Sequence, residues 1–348
     1  MLSLLFILCF GDLKMGTAFQ NPNTSDHIIS DPYSMHFGTK GGLYVVDRYP
    51  AKIHQWNADG TYVRCFAGKG QGPGELNRPL KLTTHKDALW VWDSGQRFSQ
   101  FDLNGVFLKS FALPGVEPRN FHCLDNGFVI AFKRYTPDNE MRRYFQLLDQ
   151  RGQAGKVLQD LLSNHMLAPL EGTLKGKLKA YAPEADLQKD RQGNLWFGFS
   201  ESATLHQLSP MGELLGKKTF SLPKSKPTSA EKELFENLSF PNPRDGGRIA
   251  LKDIPTMKWD YSHDKAYYTQ FLMLENRVVF VLTPLGSMNG GGHGFRSGSF
   301  SICAFESGEL LETGRFNYPE DSMLLLRDGR ALAIVSHEEG FQIHEVFF

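Results

Sequence analysis

Six times along the 348-residue chain a turn residue is followed by a short run that is apolar at successive positions rather than at alternate ones. The runs are GGLYVVD from Gly41, DALWVWD from Asp87, NGFVIAF from Asn126, GNLWFGF from Gly193, NRVVFVL from Asn276 and GRALAIV from Gly329. A half-exposed strand alternates apolar and polar residues, whereas one sandwiched between neighbouring sheets is apolar on both faces. The runs therefore predict six buried strands, one per structural unit. A second pattern follows five of them: a polar strand that ends in a tight glycine turn, at WNADG (Gly60), FDLNG (Gly105), LDQRG (Gly152), LSPMG (Gly212) and AFESG (Gly308). Glycine supplies the positive φ that such hairpins need. A further strand follows each turn, such as TYVRCFA or VFLKSFAL. With the strand that precedes the buried run, the unit is four antiparallel strands, A to D.

Six such units, at about 40–45 residues each, predict an all-β chain folded as a six-bladed β-propeller of four-stranded antiparallel blades. The last unit stops at FQIHEVFF, which supplies strand C. Its D strand is expected from a segment before Asp31, which would close the ring and remove two open sheet edges. Residues 31–348 are thus the propeller, and residues 1–30 a leader or signal-like segment plus the closing strand. Connections A to B and C to D are short throughout, whereas those from B to C and D to A vary. The B to C insertions are Lys133 to Tyr144 and Thr283 to Gly298, and the D to A insertions are 163–183 and 224–266. Within the last of these, Thr228 and Glu231 have capping-box spacing, and Leu234, Phe235 and Leu238 form a short apolar face, which predicts a small helix.

The stretch GKGQGPGEL, Gly68 to Leu76, does not match a phosphate cradle: Lys69 is followed by Gly70, not Ser or Thr, the glycines recur at every second residue, and NRPLKLTTH after it is Pro-interrupted and β-like. It connects strand D of blade one to strand A of blade two. This loop, Pro79 near the next strand A, and LWVWDSGQRFSQFDLNG with Asp93 four residues before Arg97 resemble NHL-repeat propellers. They are most similar to bacterial six-bladed, TolB-like propeller proteins, many of them exported. The resemblance covers residues 31–115 and implies a scaffold role between blades for Gly72, Pro73, Gly74 and Glu75. Beyond that span, the Asp that ends strand B in blades one and two (Asp47, Asp93) becomes Phe132, Phe199, Leu282 and Val335. Asp93 is read as a loop cap paired with Arg97. Trp90, Trp92 and Trp196 are read as equivalent strand B positions that pack between blades.

Lys plus Arg and Asp plus Glu each total 38, so no net charge draws the chain to nucleic acid or to an anionic membrane. Cys9, Cys65, Cys123 and Cys303 lack metal-site spacing and are expected as free thiols. Residues 2–10, LSLLFILCF, are long enough for a signal core and too short to span a bilayer. Export to the periplasm, cell surface or medium is the expectation. The same run could instead serve as an outer strand, and Leu8 is bulkier than the small residue preferred before a lipid-anchored cysteine such as Cys9.

B to C and D to A connections emerge on one face, and loop elaboration on one rigid face is how repeat scaffolds gain binding sites. The expected function is a non-catalytic binding scaffold, acting as a monomer without cofactor or metal, that recognises a protein, peptide or glycan there. Its candidate residues are Arg134, Tyr135, Trp259, Tyr261, His263, His293, Phe295, Arg296 and His337, because aromatic and Arg side chains suit such recognition. The alternative, implied by other propellers, is a metal-dependent lactone hydrolase or lyase at the mouth of the central channel, with His165, His263, His293, His337 and Glu338 as candidates. No H-E-x-x-H, nucleophile elbow or calcium-loop motif supports it.

Overall fold

The computed structural model describes residues 14–19, 29–38, 40–113, 118–135, 141–162, 177–179, 183–190, 192–237, 239–241, 248–253, 258–285, 297–317, 322–327, 329–337 and 340–347. After β1 (Lys14–Phe19), blade one comprises β2 (Pro32–Phe37), β3 (Leu43–Asp47), β4 (Lys52–Trp56) and β5 (Tyr62–Phe66). Blade two comprises β6 (Pro79–His85), β7 (Ala88–Asp93), β8 (Arg97–Asp102) and β9 (Phe107–Ala112). Blade three comprises β10 (Pro118–Leu124), β11 (Gly127–Tyr135), β12 (Met141–Asp149) and β13 (Ala154–Leu162). The short β14 (Lys177–Lys179) precedes blade four, which is β15 (Ala185–Lys189), β16 (Leu195–Phe199), β17 (Thr204–Leu208) and β18 (Leu214–Thr219). Next come α1 (Ser229–Glu236), β19 (Ser239–Pro241), β20 (Arg248–Ala250) and β21 (Lys258–Asp260). Blade five is β22 (Gln270–Met273), β23 (Arg277–Leu285), β24 (Ser297–Ala304) and β25 (Leu310–Asn317). Blade six is β26 (Ser322–Arg327), β27 (Arg330–His337), β28 (Gly340–Phe347) and, as its outer strand, β1. The protein is a six-bladed β-propeller of four-stranded antiparallel blades.

The expected closing strand is β1, which pairs antiparallel with β28 from Lys14 opposite Phe347 to Phe19 opposite Ile343. The five glycines at the C to D turns all have positive φ, between 75° and 86°. The apolar core is divided among the seams between blades. One cluster, Trp90, Trp92, Phe98, Phe121, Phe128 and their neighbours, fills the seam between blades two and three. Another, Val46, Ile53, Leu82, Leu89, Val91 and Phe101 among others, fills the seam between blades one and two. Successive residues of β7 thus feed opposite seams, which is why strand B is apolar throughout. Phe19, Leu332, Ile334 and Ile343 meet Met35, Phe37, Val45 and Trp56 at the seam between blades six and one, where the ring closes.

The strand B carboxylates are loop caps. Asp47, fully buried, accepts from Ser30 N at 3.0 Å and Asp31 N at 2.8 Å. Asp93, also fully buried, accepts from Asn77 N at 3.0 Å, Gly95 N at 2.9 Å and Arg97 Nη2 at 3.2 Å. Each thereby pins the chain entering strand A to the end of strand B. In blade four, where Phe199 replaces the Asp, the next residue takes the role: Ser200 Oγ accepts from Glu184 N at 2.7 Å. The glycine-rich loop hangs on the same device. Arg97 donates to Gln71 O at 2.9 Å and Glu75 O at 2.6 Å, and Gly72 N donates to Glu75 Oε2 at 2.8 Å. Gly74 has φ +80°, and a Cβ there would lie 3.3 Å from Phe107 Cβ. The register separates the tryptophans: Trp90 faces Thr83 and Trp196 faces Gln188, so these two are equivalent, whereas Trp92 faces Lys81 and its counterpart is Gly198, facing Asp186. The three described cysteines, Cys65, Cys123 and Cys303, are free thiols.

Deleting residues 342–348 removes most of β28, an inner strand hydrogen-bonded on both sides. The truncated protein is expected to lose its cooperative thermal transition; a full transition near the parental Tm would show that blade six does not close the ring. In the loop, Lys69→Ala should change stability by no more than about 0.5 kcal/mol, and Gly74→Val should cost about 1–3 kcal/mol through its positive φ. Asp93→Ala, which strands buried donors, should cost about 3–5 kcal/mol, so denaturant midpoints should fall in that order.

Candidate functional site

The described B to C and D to A connections gather on one face, and two of the expected loops are partly ladder. Within Lys133 to Tyr144 the described residues prolong the ladder, with Lys133 paired to Arg143, Arg134 to Arg142 and Tyr135 to Met141. Likewise β23 runs to Leu285, paired with Ser297. Arg134 is exposed, its guanidinium 5.6 Å from the centre of the Phe132 ring. Tyr135 ends β11, and His337 ends β27 on the same face of blade six.

The insertion after blade four carries the expected helix. Thr228 N donates to Glu231 Oε2 at 2.8 Å and Glu231 N to Thr228 Oγ1 at 3.2 Å, a reciprocal capping box at the start of α1. Lys265 Nζ reaches Glu231 Oε1 at 2.6 Å. Burial opposes ionisation of Glu231, but the hydrogen bonds from Lys265 and Thr228 outweigh it and hold the carboxyl below its usual range. Tyr261 donates to Glu236 Oε1 at 3.1 Å; burial first, and that carboxylate second, push its phenol well above the usual tyrosine range. His263 Nδ1 lies 3.9 Å from Asp260 Oδ2. The insertion also pairs with the one before blade four: β14 and β21 run parallel, with Leu178 opposite Trp259. Trp259, Tyr261 and His263 therefore share one short return segment tied to both α1 and β14, while Arg134 and Tyr135 sit on blade three and His337 on blade six. His165, His293, Phe295, Arg296 and Glu338 lie outside the described residues.

The sequence reading passed over the innermost strands. Pairing with strand B sets a common level for each strand A residue. Ser34, Lys81, Asn120, Asp186 and Gln270 face Val46, Trp92, Ala131, Gly198 and Val281, each just before the strand B residue aligned with Asp47 and Asp93, and His36, Thr83, His122 and Gln188 face the position two residues earlier. All nine are buried. Polar side chains therefore form two stacked rings around the axis on blades one to four, with Gln270 extending the upper ring to blade five. Imidazoles from non-adjacent blades meet: the His36 and His122 ring centres are 5.8 Å apart. Side chains also link strand A to strand A around the ring. Thr84 Oγ1 donates to Phe37 O at 3.1 Å, Asn120 Nδ2 to Leu187 O at 2.7 Å, and Phe271 N to Asp186 Oδ2 at 2.9 Å. At the opposite mouth Lys189 Nζ lies 3.5 Å from Thr84 O, again across non-adjacent blades. The signal in the sequence was polar alternation, SMHF, KLTTH, NFHC and DLQ, each just before an apolar strand B.

Blade four joins channel and insertion. Tyr268, which follows the insertion, is buried against Gly198, and burial together with Asp186 raises its phenol well above the usual range. A Cβ on Gly198 would lie 2.7 Å from Thr204 O and 2.9 Å from the Tyr268 hydroxyl. Where blade two has Trp92, blade four thus has a glycine that admits Tyr268. Between blades three and four a polar cleft of about 380 Å³ is lined by Gln159, Asp160, Glu201 and His206, with Gln159 donating to His206 Nε2 at 2.6 Å. Among the described residues no three His, Cys, Asp or Glu side chains are grouped to hold a metal ion, and no helix is long and apolar enough to cross a membrane.

Comparison with known proteins agrees with this architecture. A family profile described as a 6-bladed beta-propeller matches residues 23–167. No curated protein matches the chain in sequence. Among solved structures, a protein described as exported from Bacteroides fragilis NCTC 9343 is 13% identical over 97% of this chain and 95% of its own, with a TM-score of 0.58. A member of the DUF4221 family from Bacteroides vulgatus ATCC 8482 is 10% identical over 96% and 98%, with a TM-score of 0.55. These likenesses are of fold.

Gly198→Val should lower the Tm, with a cost of about 1–3 kcal/mol for overpacking. Gly216→Ala in β18, where an added Cβ meets nothing within 4 Å, should be neutral. Equal melting curves for the two variants would mean that Tyr268 does not occupy the space Gly198 leaves.

Proposed function

We propose that the protein is a non-catalytic binding scaffold that recognises a protein, peptide or glycan on the face carrying the B to C and D to A insertions. One observation carries the reading: insertions from either side of blade four are joined by the parallel pairing of β14 with β21, so the added chain forms a tied subassembly rather than separate loops. Trp259 lies on that pairing, Tyr261 and His263 follow it, and Arg134 and Tyr135 extend the neighbouring blade. His293, Phe295, Arg296 and His337 complete the proposed surface. Large aromatic and Arg side chains are the types whose truncation costs about 2 kcal/mol or more at the centre of an interface. The opposite face has only short turns among the described residues, flanked by exposed apolar side chains such as Met211, Leu215 and Leu311. The scaffold works as a monomer outside the cytoplasm, in the periplasm, on the cell surface or in the medium, and takes no nucleic acid; the balanced charge and the signal-like residues 2–10 support this.

Tagged protein incubated with periplasmic extract or culture medium should retain a partner that Trp259→Ala combined with Arg296→Ala loses, with Tm nearly unchanged. Charge reversal in the opposite turns, Asp59→Lys or Lys86→Glu, should leave capture intact. Loss of the partner in the turn variants alone would place recognition on the other face. Recovery of no partner, together with lactone hydrolysis or lyase activity that falls on substitution of His263, His293 or His337, would favour a channel-mouth enzyme instead.

A further inference from the structure

The lower channel ring contains an arrangement that neither scaffolding nor partner recognition requires. His36 of blade one and His122 of blade three, both buried, converge on one hydroxyl of blade two: Thr83 Oγ1 lies 3.4 Å from His36 Nε2 and 3.3 Å from His122 Nδ1. As a hydrogen-bonded trio this is asymmetric, because a hydroxyl has one proton and can donate to only one of the two nitrogens. The other nitrogen must then carry its own proton.

The two distances to Thr83 Oγ1 and the separation of the imidazole rings are also those of ligands on one cation. Tetrahedral ligands at about 2.0–2.1 Å from a metal lie about 3.3–3.4 Å from one another, the length of the tetrahedron's edge. Both distances to Thr83 Oγ1 match that edge. Two imidazoles bound to one ion have ring centres about 5–6 Å apart at these bond lengths, and the observed separation is 5.8 Å. The level above supplies one side chain of each sign, Lys81 and Asp186, and Lys189 adds a positive charge at the opposite mouth.

We infer that the channel binds a divalent d-block cation, Zn²⁺ or its imidazole-seeking neighbours Co²⁺, Ni²⁺ and Cu²⁺, through His36 Nε2 and His122 Nδ1, with the Thr83 hydroxyl as a third, weak oxygen donor. Both imidazoles bind as neutral lone-pair donors, with their protons on His36 Nδ1 and His122 Nε2. Imidazole suits these ions, whereas Mg²⁺ and Ca²⁺ prefer oxygen ligands. The site joins three consecutive blades at the axis and stands independently of the binding face proposed above.

Chelator-treated full-length protein should take up one equivalent of Co²⁺ with a saturable visible absorption band. Zn²⁺ at a hundredfold excess over its Kd should raise the Tm by about 2 °C or more, and Mg²⁺ and Ca²⁺ should have no effect. His36→Gln and His122→Gln, which retain hydrogen-bonding capacity toward Thr83, should each weaken Co²⁺ uptake at least tenfold while the metal-free protein still melts cooperatively. His206→Gln, in the cleft between blades three and four, should leave uptake unchanged. The inference is overturned if the folded parent shows no saturable uptake, if uptake survives both channel substitutions, or if it is lost with His206→Gln.

Discussion

Six sheets can bury both faces only if the ring they form has no gap, so every other feature of this molecule depends on the pairing of β1 with β28. An open ring would leave the hydrogen-bonding edge of β28 bare and would expose the cluster of Phe19, Leu332, Ile334 and Ile343 against Met35, Phe37 and Trp56. The first-described strand and the last lie side by side, so the fold is completed only after the whole chain between them is in place. That order makes the contact long-range and costly in loop entropy. In return it gives each of the six B strands a neighbour on both faces.

The ring then creates a second constraint at its axis, where the sheets converge and strand A of each blade comes close to the others. Polar side chains buried there must find partners, since an unsatisfied buried donor or acceptor costs about 1–3 kcal/mol. The strand A links from Thr84 to Phe37, Asn120 to Leu187 and Phe271 to Asp186 meet part of that demand with neighbouring backbone. They also lock adjacent blades in register, which apolar seams alone do weakly, because hydrophobic contact is not directional. The strand B caps at Asp47, Asp93 and Ser200 do the equivalent for the chain entering each inner strand.

The blades were legible because their signals are local. A fully apolar run such as LWVWD needs no knowledge of its neighbours to be read as a buried strand, and a positive-φ glycine such as Gly105 marks its turn wherever the hairpin lies. The channel was not legible for the opposite reason. KLTTH alternates like any half-exposed strand, and only the closed ring turns its polar side inward, to meet residues of blades one and three. Trp92 and Gly198 show the same limit: the register makes them equivalent, but the glycine makes sense only once Tyr268, seventy residues later, is seen filling the space. The parallel pair β14·β21 joins three-residue strands about eighty residues apart, too short to carry a periodic pattern. The helix α1, by contrast, was visible through Thr228 and Glu231, whose reciprocal hydrogen bonds span three residues.

Long insertions burden such a scaffold little, since the entropy of closing a loop grows only logarithmically with its length. What matters is how they are anchored, and here both ends of the insertion meet blade four. Its departing end leaves β18 through Phe220 and Leu222, packed in the seam with blade five. Its returning end donates from Tyr267 N to Ser200 O at 2.7 Å, beside the cap that fixes Glu184. The next residue, Tyr268, lies against Gly198 near Asp186, a member of the upper channel ring. Face and axis are thus successive stops of one chain segment, and the described ends of the insertion are anchored on the blade that contributes Asp186 and Gln188 to the channel. If the proposed recognition surface lies on this insertion, anchoring at both ends lowers the ordering free energy lost when a partner binds, relative to loops that hang freely from the rim.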